Sequence, residues 1–575
     1  VDVDVERGDA VRRGALQGRP LSGPVPVLAV EGLSVRLPGG ADRPFAVEDL
    51  SLEVRPGEIV CVVGESGSGK SVTAQAVMDL LPPDLAVASG SVRYSGRELL
   101  PLPRAERLRL NGRDIAMVFQ EPIAALNPFY RVGRQVEEVF RVHAAGDGAE
   151  RRRRVLALFE EVRLPDPARV FGAYPHQLSG GQCQRVMIAM ALALEPKLLI
   201  ADEPTTALDV TTQAQILSLI RDLRARHGAG VLFITHDFGV VAEIADRIVV
   251  MQKGRTVETG TVASVLGDPR HPYTRALVAA VPRPVPRAPR AATDARPVLA
   301  AEGLRKVFAR RSLFGAGRRT TALDGVSMTL APGETLGLVG ESGSGKSTLA
   351  QSLLRLVDVE AGAIRLGGDE VSRMSERRFR PLRRRIQIIF QDPWASLDPR
   401  QTAVDAIAEG PIIHGVPRTD AIERARSLIA QVGLDPQAGD RFPHQFSGGQ
   451  RQRLCIARAL AVEPEILVAD EPVSSLDVSV QAQILALLDV LQRRLGFAML
   501  FVTHDLRVAA RICDRVAVMH RGKVVEEGET AAVFAGPRHD YTRTLLAAVP
   551  GRAWFDVAGV GAGAGAGAGG AEGRA

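Results

Sequence analysis

Cysteine is scarce in this chain: 575 residues hold four, Cys61, Cys183, Cys455 and Cys513, far apart and with no CxxC pair. That excludes a disulfide framework, a zinc ribbon and an iron–sulfur cluster, and it fits a reducing compartment. Aromatics make up only 4%, so the core must rest on aliphatic side chains. No apolar run approaches the roughly 18 residues of a membrane span. The start carries Asp2, Asp4 and Glu6 and no apolar stretch, so no secretory signal is expected there. Net charge is only +6, and about half of it lies in the stretch 282–297, with Arg283, Arg287, Arg290 and Arg296 against Asp294. A basic linker explains this better than a nucleic-acid surface does. Lysine is rarest of the basic residues, six of 72. What remains, 46% hydrophobic and 24% charged, is ordinary for globular protein.

The chain is one module written twice. GESGSGKS stands at Gly64–Ser71 and again at Gly340–Ser347; YPHQLSGGQ at Tyr174–Gln182 returns as FPHQFSGGQ at Phe442–Gln450. ADEP, DVTTQAQIL or DVSVQAQIL, THD, and HPYTRAL or HDYTRTL follow in the same order in both halves. Two long copies are a pair of domains rather than a solenoid. The expected boundaries are a polar tail at 1–25, copy one at 26–281, a Pro/Arg-rich linker at 282–297, copy two at 298–550, and a Gly/Ala low-complexity tail at 551–575. Within copy one, Glu58–Val63, Ile115–Phe119, Leu198–Asp202 and Val231–Thr235 read as strands buried on both faces, and Ser71–Leu81 and Gly181–Leu194 as helices. The fold class is therefore α/β with a mainly parallel sheet.

GESGSGKS follows a strand and opens a helix, the context that makes it a phosphate-binding loop. Gly64, Gly67 and Gly69, with Ser66 between them, let backbone N–H groups wrap an anion; Lys70 reaches phosphate, Ser71 offers an oxygen to Mg²⁺, and Val72 belongs to the same nucleotide-binding set. The counterparts are Gly340, Ser342, Gly343, Gly345, Lys346, Ser347 and Thr348. A chain that uses arginine almost everywhere else keeps lysine at both places, where a compact ammonium fits and a planar guanidinium does not. Each ADEP ends an aliphatic strand with two carboxylates: Asp202 and Asp470 to hold Mg²⁺, Glu203 and Glu471 to act as general bases on water.

SGGQ, upstream of each ADEP, together with the downstream THD, resembles the ATP-binding-cassette ATPases over both copies. The resemblance implies two P-loop NTPase cassettes, each a RecA-like core with antiparallel β and helical subdomains, binding ATP and Mg²⁺. It assigns Gln120 and Gln391 as sensors that touch the metal and water, and His236 and His504 as switch residues for the γ-phosphate. Ala207–Asp209 and Ser475–Asp477 resemble loops that cross the dimer interface. The signature residues Ser179, Gly180, Gly181 and Gln182, and Ser447, Gly448, Gly449 and Gln450, are expected to face the nucleotide of the opposite copy, so that the chain forms its own cassette dimer. Both sites hold every residue of the set, so two hydrolysing sites are expected. An aromatic ahead of the phosphate loop usually stacks on adenine: copy two offers Phe308, copy one has Leu37 in the matching place.

Finer features are similar to the peptide/nickel importer branch: YPHQ and FPHQ before the signatures, EPIAALNP and DPWASLDP after the sensors, and the closing HPYT and HDYT segments. The resemblance implies an ATP-hydrolysing importer subunit for peptides, glutathione, nickel or a related solute, peripheral at the cytoplasmic face of the inner membrane. Its partners would be two permease subunits and, indirectly, an extracytoplasmic solute-binding protein, with no nucleic acid. Glu121–Pro128 and Asp392–Pro399 are expected to grip the permeases. The rival class, a soluble tandem cassette acting on ribosomes or nucleic acid, would call for a basic patch or a long helical linker.

Overall fold

The computed structural model describes residues 25–205, 208–287, 295–309, 319–474 and 476–555. The expected N-terminal tail up to residue 24, residues 288–294 of the linker, Ala207, Ser475 and the low-complexity end from 556 lie outside the described residues.

Each copy builds two sheets. In copy one, Arg255–Thr261, Arg247–Gln252, Ile59–Val63, Gly230–Ile234, Leu198–Asp202 and Ile115–Val118 form a six-stranded sheet in that spatial order, parallel except for the antiparallel edge strand Arg255–Thr261. The four apolar runs read from the sequence all fall here, within a residue or so of their expected ends. Every residue of Ile59–Val63, Leu198–Asp202 and Gly230–Ile234 is buried, as a parallel sheet covered on both faces requires. Ile59, Cys61 and Val63 pack into one core while Val60 and Val62 pack into the other. Cys61 is thus a small core residue, its thiol pKa driven up by burial.

A second sheet, four-stranded and antiparallel, runs Phe45–Val54, Leu28–Arg36, Ala86–Tyr94, Arg97–Glu98. It covers the face of the main sheet that carries the phosphate-loop helix Lys70–Met78. Helices Val132–Val142, Gly148–Glu161 and Pro167–Phe171 form a separate layer beside the signature helix Gly180–Leu192, with Phe140 and Phe159 fully buried between them. Copy two repeats both strand orders.

The halves interlock. Val478 of copy two belongs to the core of copy one, and Val210 of copy one to the core of copy two. Helix Pro272–Ala280 packs on Val478–Leu495 of the other copy, and Asp540–Ala547 on Val210–His227. The first linker residues lie on copy two: the Arg287 N–H donates to the Ala510 carbonyl at 3.1 Å and its guanidinium pairs with Asp489 and Asp514. At the other end, residues 551–555, assigned from composition to the tail, instead make a helical turn that seats Phe555 and Trp554 against the core of copy one. The Gly/Ala composition begins only after these two aromatics, which pack on the core although they stand inside the stretch assigned to the tail.

Candidate active sites

The phosphate loops follow the central strands Ile59–Val63 and Thr335–Val339. Gly69 and Gly345 close them in left-handed conformations, φ 100° and 109°, where a β-carbon would stand 2.6 Å from the Ala46 carbonyl oxygen and 2.3 Å from that of Ala322; only glycine fits both the angle and the space. Lys70 folds back over its own loop, donating to the Gly64 and Glu65 carbonyls at 2.8 and 2.9 Å, and Lys346 does the same to Gly340 and Glu341 at 2.7 and 2.8 Å. Both lysines are buried, which lowers their pKa against the pull of the surrounding carboxylates. Each ammonium is held by carbonyl oxygens of its own loop, which places a positive charge beside the start of the following helix, where an anion is favoured.

Behind each loop the hydroxyl of Ser71 donates to Asp202 at 3.0 Å, and that of Ser347 to Asp470 at 3.2 Å. Burial pushes the Asp202 carboxyl up to about 6, with Glu203 adding to the rise and the Ser71 hydrogen bond and Lys70 opposing it; Asp470 is raised for the same reason. A carboxylate so short of solvation favours a nearby cation. No group of three or more His, Cys, Asp or Glu side chains able to hold a metal occurs among the described residues. The oxygens of Ser71, Gln120 and Asp202, and of Ser347, Gln391 and Asp470, are the hard donors that Mg²⁺ prefers, with nucleotide phosphate and water completing such a shell.

Glu203 and Glu471 have φ of 46° and 48°, a left-handed backbone that non-glycine residues adopt rarely and chiefly where function demands it. It turns each carboxylate between a glutamine and a histidine. Gln120 donates to Glu203 at 2.9 Å and His236 Nδ1 lies 3.3 Å from its other oxygen. Gln391 donates to Glu471 at 3.1 Å and His504 Nδ1 lies 3.2 Å away. Burial pulls the histidine pKa values down, but the hydrogen bond and charge of the glutamate prevail and both end raised. Conversely, burial pushes Glu471 up, and His504 with Lys346 more than reverses it.

Two cavities collect these groups. One is lined by Ser66, Gly67, Gly69, Lys70, Ser71, Val72, Gln120, Glu203 and His236 together with Leu476 and Asp477 of copy two. The other is lined by Phe308, Ser342, Gly343, Gly345, Lys346, Ser347, Thr348, Gln391, Glu471 and His504 together with Leu208 and Asp209 of copy one. Each site is therefore completed by the crossing loop of the other half. The two are not equivalent: Asp477 accepts from the Ser66 N–H at 2.9 Å across the interface, whereas Asp209 caps its own helix through the Thr212 N–H at 2.9 Å. Phe308 lines its cavity and is half-exposed. Leu37, one residue past the strand Leu28–Arg36, lines neither.

The signature residues are not among those lining either cavity. Ser179 and Ser447 are exposed helix caps, accepting from the Gln182 and Gln450 N–H groups at 3.3 Å, while each glutamine side chain bonds back to the serine N–H. These reciprocal caps occupy the serine oxygens and hold the helix starts ready-formed. Sequence reasoning also missed a contact behind the HPYT segments. His271 and His539 cap their helices, and the tyrosine two residues on accepts from the phosphate loop, Glu65 N–H to Tyr273 and Glu341 N–H to Tyr541, both at 3.1 Å. The duplicated HPYT/HDYT segments carried the signal; their distance of about 200 residues from the loops hid the partner.

Comparison with known proteins agrees with this construction. The ABC transporter family matches residues 47–206 and 323–474, and the oligopeptide/dipeptide transporter C-terminal region matches 257–311 and 525–553. The glutathione import ATP-binding protein GsiA of Escherichia coli K12 is 49% identical, covering 91% of this chain and 89% of that protein. The peptidoglycan transport ATP-binding protein YejF of Agrobacterium fabrum is 48% identical, covering 91% and 96%. Among solved structures, the dimeric cassette MJ0796 with ADP and phosphate is 28% identical over 40% of this chain and 98% of its own, with a TM-score of 0.37. With two phosphate loops, two carboxylate pairs and two closing regions of this kind, the chain belongs to the ABC transporter family and is a tandem ATP-binding, ATP-hydrolysing pair of cassettes.

Proposed function

We propose that this chain powers an importer of peptides, glutathione or a related small solute, docked on two permease subunits at the cytoplasmic face of the membrane and fed by an extracytoplasmic solute-binding protein. The observation that carries the reading is the pairing of two complete sites, each with glutamate held between sensor and switch, with two oligopeptide/dipeptide-type closing regions. The names of the relatives support the solute class. The ribosome or nucleic-acid reading gains nothing from them.

In this reading Glu203 and Glu471 are the general bases, each taking a proton from the water that attacks the γ-phosphate. Gln120 and Gln391 orient that water, and His236 and His504 hold the transferring phosphate. Mg²⁺, held by Ser71, Asp202 and Gln120 or by Ser347, Asp470 and Gln391, neutralises charge on the phosphates when bound. Ser179–Gln182 and Ser447–Gln450 present their helix N-termini to the nucleotide of the opposite copy once the halves close; Phe308 stacks on adenine in copy two. Closure then moves the segments that follow the sensors. These are short exposed helices, Pro122–Ala125 and Pro393–Ser396, resting on the signature helices. They and the adjoining loop offer apolar surface to a partner: Ile123, Phe129 and Tyr130 in copy one and Trp394 in copy two are all more than half exposed.

The test is co-purification with the permeases and transport in vesicles. Ile123→Asp with Trp394→Ala is expected to abolish uptake and permease binding while basal ATPase stays near normal. Loss of ATPase in step with uptake would contradict the division of labour, and co-purification with ribosomes instead of permeases would reject the transport reading.

A further inference from the structure

The two copies differ at a position that touches the segments following both histidines. After the switch histidines the sequences read THDFG at Thr235–Gly239 and THDLR at Thr503–Arg507, so glycine in copy one stands where copy two has arginine. Arg507 points across the interface and is almost wholly buried, its side chain 11% exposed. Its guanidinium grips Asp237 of copy one with both oxygens, at 2.8 and 2.9 Å, and Asp505 of its own copy at 2.9 and 3.1 Å. Each aspartate also caps the helix that follows its histidine, accepting from the Gly239 and Arg507 N–H groups at 2.8 Å. Gly239 makes the arrangement possible, because a β-carbon there would stand 2.7 Å from Arg507 Nη1 and 2.7 Å from the Pro550 carbonyl oxygen. One arginine thus serves two aspartates, and its counterpart is absent by necessity.

The consequence is a continuous polar path between the two candidate bases. Glu203 meets His236, the next residue Asp237 meets Arg507, Arg507 meets Asp505, and the preceding residue His504 meets Glu471. Without the guanidinium, two buried carboxylates of opposite copies would face each other unpaired, which is strongly unfavourable. With it, neither switch segment can withdraw without breaking a fork of charge-assisted hydrogen bonds to the other.

We propose that Arg507 is a positioning residue that couples the two ATP sites, tying the switch segments of both copies into one unit so that ordering of one on its nucleotide favours ordering of the other. The proposal rests on the assignment of His236 and His504 as switch residues. A single buried cation holding both segments is a physical link of the kind coupling requires, in contrast to mere proximity.

The experiment is the ATP-concentration dependence of hydrolysis by the full chain. With two coupled sites the Hill coefficient of the unaltered chain lies clearly above 1 and at most about 2, and in Arg507→Met with Asp237→Asn, which removes one charge of each sign, it falls toward about 1. A purely structural role would lower the thermal midpoint or kcat and leave the cooperativity where it was. Arg507→Lys keeps the charge and the fold but replaces the fork with a point donor unable to hold both carboxylates at this geometry; its coefficient is expected to fall as well, and it decides the matter if the double variant does not fold. A folded variant that retains the original cooperativity, or an unaltered chain with a coefficient of about 1, overturns the proposal. Glu203 and Glu471 stay in place throughout, so an error in the base assignment cannot mimic failure here; undiminished turnover in His236→Ala would show instead that the switch assignment is wrong.

Discussion

Replacing Glu203 and Glu471 together by glutamine keeps the shape of both sites and removes their capacity to take a proton. In the structure each carboxylate is held between a glutamine amide, at 2.9 and 3.1 Å, and a histidine, at 3.3 and 3.2 Å. An amide oxygen preserves one of those contacts, so the backbone turn and the cavity should survive. A positioned general base contributes about 10²–10⁴ in rate, which corresponds to about 3–5 kcal/mol of barrier. Nothing that binds phosphate is touched, since Lys70, Lys346 and the loop N–H groups remain. The double variant should therefore hydrolyse ATP at least about 100-fold more slowly while binding it as well as before. At ATP about 100 times its Kd, bound nucleotide adds about 2.7 kcal/mol to stability, or about 5–10 °C in midpoint for a cassette of this size. Phosphate release and thermal melting with and without ATP measure the two halves of this expectation. Turnover within about tenfold of the unaltered chain, with the ATP-dependent rise in midpoint intact, would refute the assignment of both bases.

Two further outcomes follow from the same geometry. Gly69→Ala places a β-carbon 2.6 Å from the Ala46 carbonyl oxygen at φ 100°, a strain of about 1–3 kcal/mol; fluorescent ATP analogue should then bind one site per chain instead of two, and two retained sites would contradict the close approach. Asp202→Asn tests the buried acid. Its folded pKa of about 6 lies above the ordinary 3.8, so the ionised form is penalised: the cost is absent below about pH 4, grows between pH 4 and 6, and is full above. Two pKa units are worth about 3 kcal/mol, and loss of the Ser71 hydrogen bond returns about 1 kcal/mol. The nucleotide-free variant should thus be about 1–2 kcal/mol more stable than the parent at pH 7, with no gain at pH 4, by denaturant titration; equal destabilisation at both pH values would count against a buried, strained carboxylate.

Four strands of the six-stranded sheet in copy one were legible because their runs are apolar without alternation: Leu198–Asp202 is apolar for four residues, then acidic at its end; Arg247–Gln252 and Arg255–Thr261, which carry polar residues, were not. The phosphate-loop motifs, the carboxylate pairs and the residues that stand beside them, Gln120 and His236 in one copy and Gln391 and His504 in the other, were equally readable as motifs, since each is local and follows a strand. What the sequence hid is contact between elements far apart in the chain. Tyr273 on the Glu65 N–H spans 208 residues and Asp477 on the Ser66 N–H spans 411, and neither distance leaves a periodicity to read. The signature serines show the opposite failure. Their motif is plain, yet the capping box satisfies their oxygens locally, because an exposed helix start takes the nearest side-chain partner. Composition misled at the C-terminus, where Trp554 and Phe555 sit next to a Gly/Ala run but belong to the core of copy one.

Fusion of the cassettes explains why the departures from symmetry fall at the interface. In a dimer of identical chains a residue at the axis appears twice, so an arginine after the switch aspartate would bring two guanidiniums to one buried place. A β-carbon at Gly239 already stands within 2.7 Å of Arg507, so the second arginine could not be accommodated without opening the contact. Two glycines would fare no better, leaving Asp237 and Asp505 to repel each other at low exposure. Arginine on one side and glycine on the other satisfies both carboxylates, and only non-identical halves can adopt that solution. The same freedom is used at the crossing loops, where Asp477 reaches the opposite phosphate loop and Asp209 caps its own helix. The residues of the two candidate sites, by contrast, correspond one for one and make the same set of side-chain contacts. Other contacts across the interface are duplicated, Thr211 with Glu341 and Ser479 with Glu65, so the divergence is local: it falls where one buried cation can satisfy carboxylates of both halves.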